Sequence, residues 1–283
     1  MSVFTPITPA AAKRVAAPPP ALTSLRGVVR RGLRDHRRVW LTWGGPLGAM
    51  SALMAAMWPS VENTITDALE NYPEGLKEAF NIREITTVEA YIDAEMMSLI
   101  VPLAVAFLAV RVVTRAIAGA EEQRYLDTLL AAPVARGVLI AGAFIVAGIV
   151  IAIVLAVTTL LTWVVGVATG SDPSLAVLAR GTANVWPLSM LFAGLAALAA
   201  GWFHRSAPVT AVATGTLVGM YLIDLVGKLA EPIEPLRWAS AFRYYGSAIQ
   251  DGIDPLAFAG LTLVGIALAV AGAVLLQRRD VMA

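Results

Sequence analysis

Charged residues that could do chemistry are concentrated in segment 119–137, GAEEQRYLDTLLAAPVARG, of an otherwise very apolar chain. This segment carries three carboxylates and two arginines within nineteen residues. The adjacent carboxylates Glu121 and Glu122 raise the question of a metal site or a general base, and both need partners such as histidine. The chain has two histidines, His36 and His204, and neither lies in the middle of an apolar run. The sequence therefore argues against a hydrolase, and we expect no catalytic, cofactor-binding or metal-binding residues.

A Walker-type ATPase is also excluded by the lysines of this chain. A phosphate-binding loop needs Gly-x-x-x-x-Gly-Lys followed by Ser or Thr, because the lysine reaches the phosphates and the hydroxyl ligates magnesium. The chain has three lysines, Lys13, Lys77 and Lys228, and none precedes Ser or Thr. We predict that the chain is not an enzyme, and that any ATP and magnesium are used by a partner.

The composition is typical of a polytopic membrane protein. Hydrophobic residues make up 58% of the 283 residues and charged residues 14%, whereas about a quarter of a soluble domain is charged. Crossing a hydrocarbon core of about 30 Å takes about 20 helical residues, and helices satisfy their own backbone polar groups in lipid. We therefore predict an all-α fold with six transmembrane helices. The predicted spans are 39–58, 96–117, 138–168, 182–203, 207–229 and 256–276.

The distribution of positive charge predicts an orientation. With both termini inside, fifteen of the 21 Lys and Arg residues fall on cytoplasmic segments and six on outer ones, and positively charged loops stay on the cytoplasmic side. We expect an N-in, C-in protein of the cytoplasmic membrane. A cleavable signal peptide is not expected, because the first apolar run begins only near residue 39. The Ala-, Val- and Arg-rich usage favours a bacterial source.

Ion-driven transport has little support in the sequence. Ionisable groups in mid-membrane are costly and usually functional, but Arg111 and Arg115 fall at the predicted inner end of the second span. Asp224 and Lys228 lie four residues apart near the outer end of the fifth span, where they can pair on one helix face. We read them as a structural pair.

The N-terminal region divides into two parts. Residues 1–20 are rich in Pro and Ala and predict a disordered cytoplasmic tail. Over 21–38, apolar residues recur at helical spacing among arginines, which predicts a basic amphipathic helix at the inner interface, facing anionic membrane lipids. A charge cluster that only fixes orientation explains the arginines equally well. We predict that residues 39–283 form the six-helix transmembrane domain.

Two outer segments interrupt the spans. Segment 59–95 carries nine acidic residues, Asp93 and Glu95 among them. It lacks the Asp-x-Asp-x-Asp-Gly calcium loop, so a solvated acidic face is favoured over a cation site. Segment 231–255 mixes aromatic and charged residues with three prolines. Short helices anchored by an aromatic belt at the outer interface are favoured there over a substrate gate.

Within 119–136 the spacing predicts an amphipathic cytoplasmic helix. Glu121, Glu122 and Asp127 lie toward its start, where the positive end of the helix dipole favours carboxylates. Pro133 ends the regular helix within about a turn. One apolar stripe at helical spacing consists of Leu126, Leu129, Leu130 and Val134. A helix that lies on lipid without a partner is the less favoured alternative.

These residues resemble the inner loop of ABC-2-type exporter permeases. That loop follows the second span and carries a glutamate pair, Leu-Asp, Leu-Leu-Ala and Pro-Val before an arginine, as residues 121–136 do here. The chain departs at Arg124-Tyr125, where Gly-Thr is usual, and at Ala135, where a hydroxyl is usual. The ending Gln277-Arg278-Arg279-Asp280 is similar to the Arg-Arg-Asp ending of many such permeases.

The resemblance implies a type V exporter-like half-permease whose coupling helix docks on a separate ABC ATP-binding subunit, with two copies of that subunit expected. A second permease copy or a paralogue would complete the pore, and no nucleic acid is expected as a partner. The exported substrate would be lipophilic, such as a drug, an antibiotic or a lipid. A non-transporting membrane anchor or assembly subunit is the alternative. The implied coupling residues are Glu121, Glu122, Leu126, Asp127, Leu129, Leu130, Pro133 and Arg136.

Three methionines fall at helical spacing in the first predicted span. Met50, Met54 and Met57 share a face of that helix, and flexible thioethers suit contact with a lipophilic substrate. Ordinary helix packing is the favoured explanation, and a substrate path is the alternative.

Overall fold

The computed structural model describes residues 21–69, 87–122 and 136–278. Every regular element within these ranges is helical, as predicted. The α-helices are α1 Ala21–Asp35, α2 Gly45–Leu69, α3 Val88–Ile92, α4 Ile100–Ala116, α5 Ala118–Glu122, α6 Arg136–Thr169, α7 Leu175–Trp202, α8 Ser206–Leu229, α9 Ala241–Tyr245 and α10 Pro255–Arg278. Two π-helical turns, Trp40–Gly44 and Asp93–Met97, precede α2 and α4, and a 3-10 helix, Glu231–Ala239, precedes α9.

Five helices are long and apolar enough to cross a membrane, within the part of the chain that the structure describes. They match five of the six predicted spans. The first predicted span, 39–58, falls on the turn Trp40–Gly44 and on α2, whose Pro46, Pro59 and Glu62 make it less apolar. The count of six and the orientation therefore stay predictions. The five helices are Ile100–Glu122, Gly137–Thr169, Leu175–Trp202, Ser206–Leu229 and Pro255–Arg278.

Helix α7 forms the centre of the bundle. It packs against α4, α6, α8 and α10, and 78% of its most apolar stretch is buried, against 22% for α8 and 28% for α10. Helices α8 and α10 therefore lie at the edge of the bundle, with apolar faces that lipid or another chain would cover.

Glycines bring the backbones of α7 and α10 into direct contact. A Cβ atom at Gly194 of α7 would lie 2.1 Å from the carbonyl oxygen of Gly265 on α10, and one at Gly272 would lie 2.4 Å from the carbonyl oxygen of Ala197. Small residues allow such close approach between membrane helices, where dispersion contacts replace the hydrophobic effect as the main attraction. This contact holds α10 against the central helix.

Glycines also allow α1 to pack closely on α6, here against valine side chains. A Cβ atom at Gly142 of α6 would lie 2.5 Å from Val28 Cγ1, and one at Gly32 of α1 would lie 2.7 Å from Val146 Cγ2. Val29 and Leu33 also pack against the core. The helix predicted over 21–38 is therefore attached to the bundle by its apolar face, while its location at a membrane interface stays a prediction.

The aromatic residues of segment 231–255 divide between two environments. Trp238 and Tyr244 are exposed, and the guanidinium of Arg243 lies 4.0 Å from the Trp238 ring centroid. Phe242 is buried and packs edge-on against Tyr221, with ring centroids 5.4 Å apart. Only the first group is available to anchor an interface, so the predicted belt is smaller than the sequence indicates.

Candidate functional site

The antiparallel helices gather their ends into two groups. The end of α5, the start of α6, the turn between α7 and α8 and the end of α10 lie together, and we call this the Glu121 end. The turn Asp93–Met97, the start of α7, the end of α8 and segment 230–254 form the opposite, Asp93 end. Among the described residues, the two ends hold most of the polar side-chain contacts that join separate helices.

Glu121 contacts the turn between α7 and α8. Its Oε1 lies 2.8 Å from His204 Nδ1, and both side chains are partly exposed, 27% for Glu121 and 46% for His204. A carboxylate oxygen and an imidazole nitrogen at this distance share a hydrogen bond. The contact joins the end of α5 to the turn between α7 and α8.

Glu122 caps the N-terminus of α8. Its Oε1 accepts the backbone N–H of Ser206 at 3.0 Å, and its Oε2 accepts the Ser206 hydroxyl. The first N–H groups of a helix have no partner within the helix, and a carboxylate there also complements the helix dipole. The residue before the helix, Arg205, makes no side-chain cap. The helix start that Glu122 complements is therefore that of α8.

The rest of the predicted coupling helix lies largely outside the described residues. Leu126, Asp127, Leu129, Leu130 and Pro133 fall there, so their roles stay predictions. Arg136 is the first residue of α6. A Cβ atom at Gly137 would lie 2.7 Å from Gln277 Nε2 of α10, so α6 begins beside the end of α10.

A buried carboxylate organises the Asp93 end. Asp93 is 4% exposed, and its Oδ2 accepts hydrogen bonds from the Ser247 hydroxyl and, at 3.1 Å, from Gln250 Nε2. The expectation that Asp93 belongs to a solvated acidic face is wrong, because Asp93 is buried and accepts hydrogen bonds from segment 231–255. Glu62 and Glu95 of the same predicted face are exposed.

Tyr245 and α7 complete this network. The Tyr245 hydroxyl donates to the carbonyl oxygen of Met97 at 3.1 Å. Burial, and then the charge of Asp93, raise the Tyr245 pKa well above its ordinary value of 10, so the hydroxyl stays protonated and donates. Arg180 donates to the Ile249 carbonyl at 2.7 Å, which fixes the same loop to α7.

Asp224 holds a second ionic group at this end. Its Oδ2 lies 3.0 Å from Lys228 Nζ, which confirms the predicted pair. Its Oδ1 accepts from Arg237 Nε at 3.1 Å, a partner that the spacing of Asp224 and Lys228 does not indicate. The 3-10 helix is thus bonded to α8, and Lys228 and Arg237 share the carboxylate of Asp224 as their partner.

The sequence profile described as multidrug efflux system permease Rv1217c, C-terminal domain, matches residues 25–277. The match begins in α1 and ends in the last turn of α10, so it includes both polar ends. The chain belongs to this family of permeases. No curated protein matches the chain significantly.

The methionines of the permease divide between surface and core. Met50 and Met57 are 42% and 41% exposed on α2. Met54 between them packs against the core, and its sulfur accepts from the Tyr91 hydroxyl at 3.6 Å. The role of Met50, Met54 and Met57 in a substrate path stays a prediction.

Within the described ranges, no three His, Asp or Glu side chains are grouped so that they could hold a metal ion. The polar groups at both ends instead bond to other helices. The permease is a membrane protein whose described polar chemistry joins and orients its helices.

Proposed function

We propose that the permease is the membrane-spanning half of an ABC-2-type exporter, driven by ATP hydrolysis in a separate subunit. The observation that carries the proposal is the match to an efflux-permease family together with the inner-loop motif at 121–136 and the missing phosphate-binding loop. The Glu121 end is then cytoplasmic, and the ATPase docks on segment 119–136.

The contacts of Glu121 and Glu122 support a mechanical role for this segment. Both carboxylates join the end of α5 to the turn between α7 and α8. Helix α5 directly follows α4, and α6 begins where segment 123–135 ends. A displacement of the docked segment would therefore act on α4, α6 and α8 together, and it would reach α7 through its turn.

The other parts of the exporter follow from the same reading. Two ATPase subunits and a second permease, identical or paralogous, complete the complex. The apolar outer faces of α8 and α10 meet lipid or this second permease. Substrates are lipophilic, such as a drug, an antibiotic or a lipid, and the family's description as a multidrug efflux permease supports the drug class.

Co-purification tests the proposal. Tagged permease is isolated from native membranes in mild detergent, and associated proteins are identified by mass spectrometry. We expect an ATPase with a Walker motif, lost in Leu129→Asp. The matched control is Leu236→Asp, which places the same charge at an exposed leucine of the Asp93 end and should keep the ATPase.

Three results would contradict the proposal or narrow it. Absence of any ATPase from the wild-type sample would rule out the exporter reading. An ATPase that binds, without faster efflux of a fluorescent lipophilic dye from cells that express both subunits, would favour the non-transporting anchor. Equal loss of the ATPase in Leu129→Asp and Leu236→Asp would mean that segment 119–136 is not the docking site.

A further inference from the structure

We propose that a cleft between α1, α4 and α6 binds a phosphate group, carried by an anionic lipid headgroup or present as free phosphate. Two cavities meet in this cleft, with volumes of about 470 Å³ and about 300 Å³. The lining residues that they share are Asp35, His36, Val112 and Arg115. The proposal is independent of the exporter reading, because it rests on the geometry of this cleft alone.

Four arginines line the cleft, and they come from α1, from the turn that follows α1, and from α4. Arg31 and Arg115 line the larger cavity, and Arg38, Arg111 and Arg115 line the smaller one. Asp35 is the one carboxylate among the described residues that line them. Cations brought together from α1 and α4 repel one another, so an anion between them would be stabilised by both.

Arginine is well suited to phosphate recognition. Its planar guanidinium donates two parallel hydrogen bonds to a phosphate, and such charge-assisted bonds are the strong ones. The four side chains are all exposed, so a ligand can reach their guanidinium groups. The cleft thus offers a cationic rim.

The base of the larger cavity is apolar and fixed. Leu139, Ala143 and Val146 of α6 form one wall, and Val112 of α4 forms another. The contact of Gly142 with Val28 holds α1 against α6. A cationic rim above an apolar wall suits an amphiphile, and a volume of this size is in the range of ordinary ligand pockets. An anionic lipid fits both features, whereas free phosphate uses only the rim.

The test compares variants that remove equal charge. The full-length permease is purified in a neutral detergent and titrated with phosphatidylglycerol, phosphatidylcholine and inorganic phosphate. Bound lipid is counted by native mass spectrometry, and phosphate binding is followed by the thermal unfolding midpoint. The cleft variant is Arg31→Gln/Arg115→Gln. The matched control is Arg30→Gln/Arg34→Gln, whose arginines are exposed on α1 and do not line the cleft.

We expect phosphatidylglycerol to bind in preference to phosphatidylcholine, and to bind about 25-fold more weakly to the cleft variant than to the control, at about fivefold for each of the two arginines. Lack of competition by inorganic phosphate would identify the lipid as the source. Stabilisation by inorganic phosphate that only the cleft variant loses would identify free phosphate. Equal weakening in both variants, or no preference for phosphatidylglycerol and no effect of phosphate, would overturn the proposal.

Discussion

The two ends of the bundle use the same kinds of side chain in different surroundings. At the Asp93 end, the carboxylates of Asp93 and Asp224 are each 4% exposed, and each accepts hydrogen bonds from a separate segment of the chain. At the Glu121 end, the carboxylates face partners such as His204, whose side chain is 46% exposed. Buried polar groups lose their partners at high cost, whereas exposed ion pairs contribute little.

This difference divides the permease into a firm end and an adjustable end. Opening the Asp93 end would leave buried charges and hydroxyls without partners, so it is resisted. At the Glu121 end, water can replace each broken contact, so rearrangement costs little. In the proposed exporter, the adjustable end is the one on which the ATPase acts, and the firm end keeps the outer side closed until the helices move.

Removing Asp224 is expected to have the largest effect. Asp224→Ala leaves Lys228 and Arg237 without their shared carboxylate in a region where side chains are mostly buried. Breaking a buried pair typically costs 3–5 kcal/mol, and because these two cations are partly exposed, we expect about 3 kcal/mol. The free energy of unfolding in detergent measures the loss. Glu234→Ala, an exposed acid of the 3-10 helix, should change it little, and equal losses would show that burial does not set the cost.

Removing Asp93 should have the next largest effect. Asp93→Ala leaves the Ser247 hydroxyl and the Gln250 amide without their acceptor, and unsatisfied buried donors cost about 1–3 kcal/mol. We expect a loss of about 2 kcal/mol by the same unfolding measurement. Glu95→Ala, which removes an exposed charge two residues away, is the control. A stable Asp93→Ala variant would mean that the Asp93 end is not held by this network.

Tyr245 gives the Asp93 end a pH dependence in alkali. Because its folded pKa is raised above 10 by burial and by Asp93, folding favours the neutral phenol. Its contribution to stability is complete below pH 10 and falls as the pH rises toward the folded pKa. The Tyr245→Phe variant, which loses a hydrogen bond worth about 1 kcal/mol, should lack this part of the alkaline loss. Thermal midpoints of both proteins between pH 8 and 11 measure it, and parallel curves would contradict the assignment.

Long apolar runs made most of the spanning helices predictable. Helices α6, α8 and α10 begin and end within two residues of the predicted spans, because their runs are apolar up to the ends. Helix α7 begins at Leu175. The predicted span begins only at residue 182, because Arg180 interrupts the apolar run before it. That arginine is tolerated through its bond to Ile249, 69 residues away.

The contacts that close the two ends could not be predicted in the same way. The pair of Asp224 and Lys228 follows from helical spacing, but the bond of Arg237 depends on the fold of a separate segment. Asp93 and Ser247 are 154 residues apart, and nothing local distinguishes Asp93 from the exposed acids near it. Local patterns determine helices and stripes, whereas polar partners across helices depend on how the bundle packs.

The smallest loss of stability is expected from Glu122→Ala. The variant removes the acceptor for the Ser206 N–H and hydroxyl, but water can reach these exposed groups, so the unfolding free energy should fall less than in Asp93→Ala. Hydrogen exchange should accelerate at the first amides of α8 and stay unchanged near Ser247. Glu122→Gln, which keeps an acceptor oxygen without the charge, should lie between Glu122→Ala and the wild type. A loss as large as that of Asp93→Ala would show that the Glu121 end is as firm as the opposite one, and the proposed movement of segment 119–136 would then have to open a strong contact.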